Sequence, residues 1–291
     1  MANTEEKNGS VTGPGIGLRV VYKNDLDFFG RLAACNCAVD SVGLYPNVNK
    51  IYHREYNTGP EAGLDGYDRE TEAIIGLLGR HNIKAYLLLD ETDPDPLIVE
   101  NYGGSVLRSY LKRLIISVGL RNITVFNLPL AVKIKNDFPS VNLEISGSAS
   151  VDSVEKTVRW REAVEVGGLC VPGRLNKRPK MFGHLKNKTG LKLSVVVNDC
   201  CLTDCPSRIS HCNLRRHVGE YFSFFDCRPA MAERPWQVFR QGYIVPADLK
   251  HYGGIIDTAI IDGEGMTAAT RGSGVPCLPR VSNTASSATA I

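Results

Sequence analysis

Residues 141–197 read VNLEISGSASVDSVEKTVRWREAVEVGGLCVPGRLNKRPKMFGHLKNKTGLKLSVVV. Three short apolar runs stand in this stretch: VNLEISG (141–147), GLCVPG (168–173) and LKLSVVV (191–197). Each has the length and composition of a buried strand. Between the first two, Asp152 lies three residues before Glu155 in a capping-box arrangement, with Ser150 as the competing N-cap. Val151, Val154 and Val158 then recur at helical spacing. A second helix is expected from Pro179 to Leu185. The stretch therefore alternates strand, helix, strand, helix, strand, as parallel sheets do.

The same alternation extends both ways. Upstream, strands are expected at LRVVY (18–22), VDSVGLY (39–45), IKAYLLLD (83–90) and NITVFNL (122–128). Helical patterns fall at 26–34, 68–78 and 129–137, and a longer one at 97–118 is broken early by Gly103 and Gly104. Downstream, Pro206 opens a helix, 246–252 forms a short one, and IIDTAIID (255–262) is an eighth strand. A doubly wound open sheet would give a similar string. The count of eight over about 250 residues favours an α/β fold of the (β/α)8 TIM-like barrel type. The strands read as apolar on both faces, as buried parallel strands do. The expected domains are a disordered tail at 1–17, one barrel at 18–267, and a second disordered tail at 268–291 that contains Cys277.

Composition excludes little and locates the chain. Lys and Arg total 34 against 31 Asp and Glu, a net charge of +3, which is too mild to argue for nucleic acid from bulk charge. The opening residues contain no apolar core of a secretory signal, and no run reaches the roughly 18 apolar residues that span a bilayer. The expectation is a cytoplasmic protein with no membrane partner, whose clustered cysteines are reduced and free to bind metal.

In a barrel, function sits at the C-terminal ends of the strands. Those ends here carry Asn24, Tyr45, Asn47, Asp90, Glu91, Asn127, Ser146, Ser148, Arg174, Asn198, Asp199, Asp262 and Glu264. After the seventh strand comes NDCCLTDCPSRISHCN, and FFDC closes the region. Five of the nine cysteines fall here: Cys200, Cys201, Cys205, Cys212 and Cys227. Cys201 and Cys205 form a C-x3-C pair, whose spacing suits zinc or an iron–sulfur cluster alike. Cys227 is a third candidate ligand. On a regular helix from Pro206, Cys212 is about 10 Å of rise beyond Cys205, so it serves only if the turn is irregular. Cys200 points away from Cys201 in an extended chain; His211 is an alternate, and Cys35 and Cys37 are far off in sequence unless the barrel brings them near. Cys170 reads as core packing.

Arg208 and His211 lie three apart on the expected helix, near Arg215, Arg216 and His217, a pattern that suits an anion. Asp199 is either a base or the cap of the turn. Ser146 and Ser148 have the look of turn and capping residues, and the run from Arg174 to Lys180 that of a solvated loop. The candidate site is then Asp199 and His211 as catalytic groups, Asn198, Arg208 and Ser146 as substrate contacts, and Cys201, Cys205, Cys227 and Cys212 as metal ligands.

Three segments resemble the collagenase-like peptidase family (peptidase family U32): ISGSASVDSVEKTVRWREAVEVGGLCVPGRL, LSVVVNDCCLTDCPSRISHCN with its C-x3-C-P motif, and YIVPADLKHYGGIIDTAIIDG. Together they span about 145–263, and the first half agrees only in its strand–helix order. The resemblance implies a TIM-like barrel. Several members are hydroxylation proteins acting on ubiquinone precursors or on RNA bases, associated with a four-cysteine 4Fe–4S cluster and, in some, with prephenate. Carried over, it implies Cys201 and Cys205 as cluster ligands, with Cys227 as a third. The tyrosine–serine–arginine–cysteine turn of better-known members is absent. The implied function is an iron–sulfur hydroxylase or other tailoring enzyme acting on a small aromatic or anionic substrate or an RNA base. The alternatives are a non-catalytic, zinc-stabilised subunit binding a protein or RNA partner, and a peptidase-like hydrolase.

Overall fold

A computed structural model of the chain describes residues 15–22, 25–34, 38–46, 65–90, 99, 102, 106–199, 201, 205, 208, 233–236 and 242–263. Eight parallel strands close into a barrel in chain order: β1 Gly17–Tyr22, β2 Ser41–Leu44, β3 Lys84–Leu89, β4 Asn122–Val125, β5 Asn142–Ile145, β6 Gly168–Val171, β7 Lys192–Val196 and β8 Thr258–Asp262. The expected barrel is the observed one. The longer helices outside it are α1 Leu26–Ala34, α2 Asp65–Arg80, α3 Val106–Lys112, α4 Leu128–Asp137, α5 Val154–Ala163 and α6 Pro179–Thr189. Among the described residues no helix is long and apolar enough to cross a membrane.

Period-2 alternation sorts each strand. The outward residues, such as Val42, Leu87, Ile123, Leu143, Leu169 and Leu193, are buried against Phe29, Ile74, Leu107, Ile134 and Phe182 of the helices. The inward residues are not the second apolar face that the strand sequences suggested. A small cluster of Val21, Leu88, Cys170 and Ile260 fills one part of the interior. Beside it lies a polar layer. Arg19 of β1 reaches across to Glu144 of β5 in a two-pronged pair, at 2.6 and 3.1 Å. Its Nε donates to Ser41 at 3.3 Å, its guanidinium lies 3.5 Å over the Tyr86 ring, and Thr124 donates to Glu144 at 3.1 Å. A closed ring supplies the partners that an isolated strand cannot, so these charges stay buried and satisfied.

Two helical expectations change. The helix α5 starts one residue later than the capping box implied: Ser153 is the N-cap and accepts from the Lys156 N–H at 3.3 Å. Asp152 instead pairs with Lys156 at 2.8 Å and with Arg174, which removes Arg174 from the solvated loop. Ser150 sits at φ 54°, ending a short 3-10 turn. Val158, expected on the packed face, is 41% exposed, and Thr157 and Trp160 are buried in its place. In the long pattern at 97–118, α3 runs into a π-helical turn, Arg113–Val118, that ends at Gly119.

Candidate functional site at the barrel mouth

At the C-terminal face, β7 and β8 are tied together beyond their last ladder bonds. The Asn198 amide donates to the Asp262 carbonyl at 2.7 Å and accepts from the Asp262 N–H at 2.8 Å. Both ends of Asn198 thus hold the mouth in shape. One residue on, the Asp199 carboxylate is buried. One oxygen accepts from the Cys201 N–H at 3.1 Å, and the other accepts from the Arg208 guanidinium at 2.7 Å. The Asp199 side chain is 6% exposed and that of Arg208 36%, so the pair has a closed side and an open side.

Two glycines make room for this carboxylate. A Cβ on Gly173, just after β6, would lie 1.5 Å from Asp199 Oδ2, and one on Gly242 would lie 3.0 Å from the same oxygen. Only hydrogen fits at Gly173 without displacing the acid. The packing is held from below by Asn176, fully buried, which donates to the Val196 carbonyl at 2.7 Å and to the Gly242 carbonyl at 2.5 Å. Tyr252 donates in turn to the Asn176 carbonyl. Asn176, Gly173 and Gly242 escaped the sequence reading. A lone Asn and scattered glycines carry no signal until the turns meet.

Hydrogen bonds therefore link Asp199 to Cys201 and Arg208, and the Arg208 N–H donates to the Cys205 carbonyl at 3.2 Å. Cys201 and Cys205 are half-buried. Ser146 stands at the end of β5, buried, and its hydroxyl accepts from the Ser148 N–H at 3.2 Å. That is the turn role its type suggested. Asn127, another strand-end residue, caps α4 by accepting from the Leu130 N–H at 2.9 Å. Cys170 is buried as expected. Desolvation and then the Glu144 carboxylate push its thiol up to about 12, against smaller pulls from Ser194 and Arg19. It is a packing thiol, not a nucleophile. His211, Cys212, Cys227, Cys200, Cys35, Cys37, Cys277, Pro206, Asn24, Asn47, Glu91 and Glu264 lie outside the described residues.

Cys201 and Cys205 are the right atoms, in the right exposure, for a thiolate-bound centre. Two thiols are half of a four-thiolate set. Among the described residues no group of three or more His, Cys, Asp or Glu converges on a point that would hold a metal ion.

No family model matches the chain. Over 154 residues it is 27% identical to an uncharacterized protease of Methanocaldococcus jannaschii, a match that covers 50% of this chain and 46% of that protein. The matched region is thus less than half of the relative's length. Among solved structures, a U32 peptidase superposes with a TM-score of 0.59 over 91% of this chain and 97% of the other, at 17% identity. A thiamine phosphate pyrophosphorylase from Pyrococcus furiosus superposes with a TM-score of 0.43 over 86% of each chain, at 9% identity. The chain is a (β/α)8 barrel similar in fold to a U32 peptidase and, over half its length, similar in sequence to a protease of Methanocaldococcus jannaschii.

Proposed function

We propose that the mouth beside β7 is the active site of a thiolate-metal barrel enzyme that acts on a small anionic or aromatic substrate or an RNA base. The observation that carries this reading is the set of Asp199, Cys201, Cys205 and Arg208, linked by hydrogen bonds. It presents two half-buried thiols and a one-third-open guanidinium on the catalytic face of the barrel. In this reading Cys201 and Cys205 hold a 4Fe–4S cluster or, in the alternative, zinc. Cys227 and Cys212 complete the set, with His211 as an alternate ligand. A bound cluster would supply electron transfer for a hydroxylase-type reaction.

The chain's own residues have separate tasks. Asp199 is a positioning residue: it fixes the Cys201 N–H and holds Arg208 in place. Arg208, 36% exposed beside Asp199, is assigned to a carboxylate or phosphate of the substrate. Asn198 keeps β7 and β8 together under the site. His211 is proposed as the proton-transferring group.

The test is iron, sulfide and zinc content with an absorption spectrum after anaerobic purification. About four irons and four sulfides per chain, with absorption near about 400 nm, support the cluster. One zinc without iron moves the reading to the zinc-stabilised binding subunit. No metal in the wild-type chain overturns the thiolate-metal reading. A second reading, hydrolysis of peptides, is favoured by the names of the two relatives. Cleavage of an unstructured protein substrate by metal-free enzyme, lost in Asp199→Asn, would establish it in place of the first.

A further inference from the structure

We propose that the opposite, N-terminal end of the barrel holds a second ligand site, a cationic cavity for a small organic anion. The cavity measures about 510 Å³. Ligand pockets run to roughly 300–1,000 Å³, so it holds a small molecule with room for a ring. Its position follows from the strand register. Lys84, Asn122, Asn142, Gly168 and Lys192 line it, and each is the first residue of its strand. In barrels of this type that end reads as a stability face rather than a catalytic one, so the cavity is separate from the mouth.

The charge balance gives the ligand class. Lys84, Arg121 and Lys192 line the cavity, and none forms an ion pair with another described residue. The acidic group of the lining, Glu144, is already neutralised by Arg19 and bonded by Thr124. Two further carboxylates of this end are committed elsewhere. Asp40 accepts from the Leu18 N–H at 2.7 Å, and Asp257 accepts from the Leu193 N–H at 2.7 Å and pairs with Lys186. Neither lines the cavity. Three unpaired cations around a neutralised floor attract a multivalent oxyanion.

The walls supply the remainder of the recognition. Ile75, Ile83, Val118, Leu120 and Leu143 make one side apolar. That side is shaped by the π-helical turn Arg113–Val118, which stops at Gly119 with φ 86° and delivers Leu120 and Arg121 to the cavity. Such turns are rare and cluster at functional sites. An apolar wall beside three cations fits a phosphate or paired carboxylates on an apolar body.

Isothermal titration of the full chain with phenyl phosphate and with benzene-1,3-dicarboxylate, at low salt, separates the two sources of anion. Phenol is the neutral control. One saturable site is expected for at least one of the anions and none for phenol. Lys84→Ala/Lys192→Ala should weaken binding at least tenfold, and both side chains are exposed, so the fold survives; circular dichroism checks this. Arg208→Ala, at the mouth, should leave binding unchanged. No saturable binding of either anion, equal binding of phenol, or binding lost in Arg208→Ala and kept in the double lysine variant would each overturn the proposal. Metal content plays no part in these readouts, so this site and the one at the mouth stand or fall separately.

Discussion

The barrel contains two arginine–carboxylate pairs built on opposite plans. Arg19 and Glu144 face each other across the interior, with side chains 2% and 9% exposed. Arg208 and Asp199 meet at the rim, with the acid equally buried but the arginine 36% exposed. The inner guanidinium is stacked on Tyr86 and bonded by all three of its nitrogens to Glu144 and Ser41, in a buried place. Burial alone would favour its neutral form, and Glu144 outweighs that and holds it charged. The outer guanidinium is partly exposed. One pair lies inside the barrel; the other lies at its rim with the arginine partly exposed.

Breaking the inner pair should have the largest effect. Arg19→Met strands a buried carboxylate and should destabilise the fold by about 3–5 kcal/mol in urea denaturation. Adding Glu144→Leu should recover most of that loss. If the single variant were as stable as wild type, the interior pair would not stabilise the barrel.

Next in size is Gly173→Ala, which forces Asp199 away from the turn. A loss of about 1–3 kcal/mol is expected, together with loss of metal binding if the mouth is a metal centre. An unshifted midpoint would mean that the turn relaxes freely. Arg208→Ala should cost less, about 1–2 kcal/mol, because its partner is buried but keeps the Cys201 N–H. Its stronger effect should be on ligand affinity at the mouth.

The cysteines sharpen the same contrast chemically. In metal-free native protein at pH 8, Cys201 and Cys205 should alkylate with iodoacetamide, whereas Cys170 should stay protected until the chain unfolds. Mass spectrometry of the labelled peptides decides it.

The smallest effect concerns Asp152. Burial pushes its carboxyl up, but Lys156 and Arg174 together outweigh burial and leave it below the usual range. A depressed carboxylate stabilises the fold above its unfolded pKa and loses that contribution as pH falls through the folded value. Asp152→Asn should therefore lose under about 1 kcal/mol at pH 7, and the difference from wild type should begin to shrink as pH falls below about 4.

Particular residues explain what was legible in advance. Short apolar runs bounded by Gly, Pro and Asn marked all eight strands, with boundaries off by up to three residues, because buried parallel strands need such runs. The start of α5 was misplaced by one residue. Asp152 and Ser153 are both good caps, and the ion pair to Arg174, 22 residues away, decides between them. Arg19 and Glu144 stood in plain view inside LRVVY and NLEI, yet 125 residues separate them and nothing local pairs them. At the mouth, Asp199, Cys201, Cys205 and Arg208 were named from type and spacing. The glycine seat beneath Asp199 was not, because a close approach leaves no trace in one chain segment.

By itself the sequence determined the strand–helix rhythm, the count of strands and the placing of cysteines and charges after the seventh. These depend on periodicity and neighbours along the chain. Tertiary structure alone decided which charges are buried together, which face of each strand turns inward, and that Asp199 is buried while Arg208 is partly exposed. Those outcomes depend on ring closure, which brings distant residues within hydrogen-bond range and sets how much water each retains.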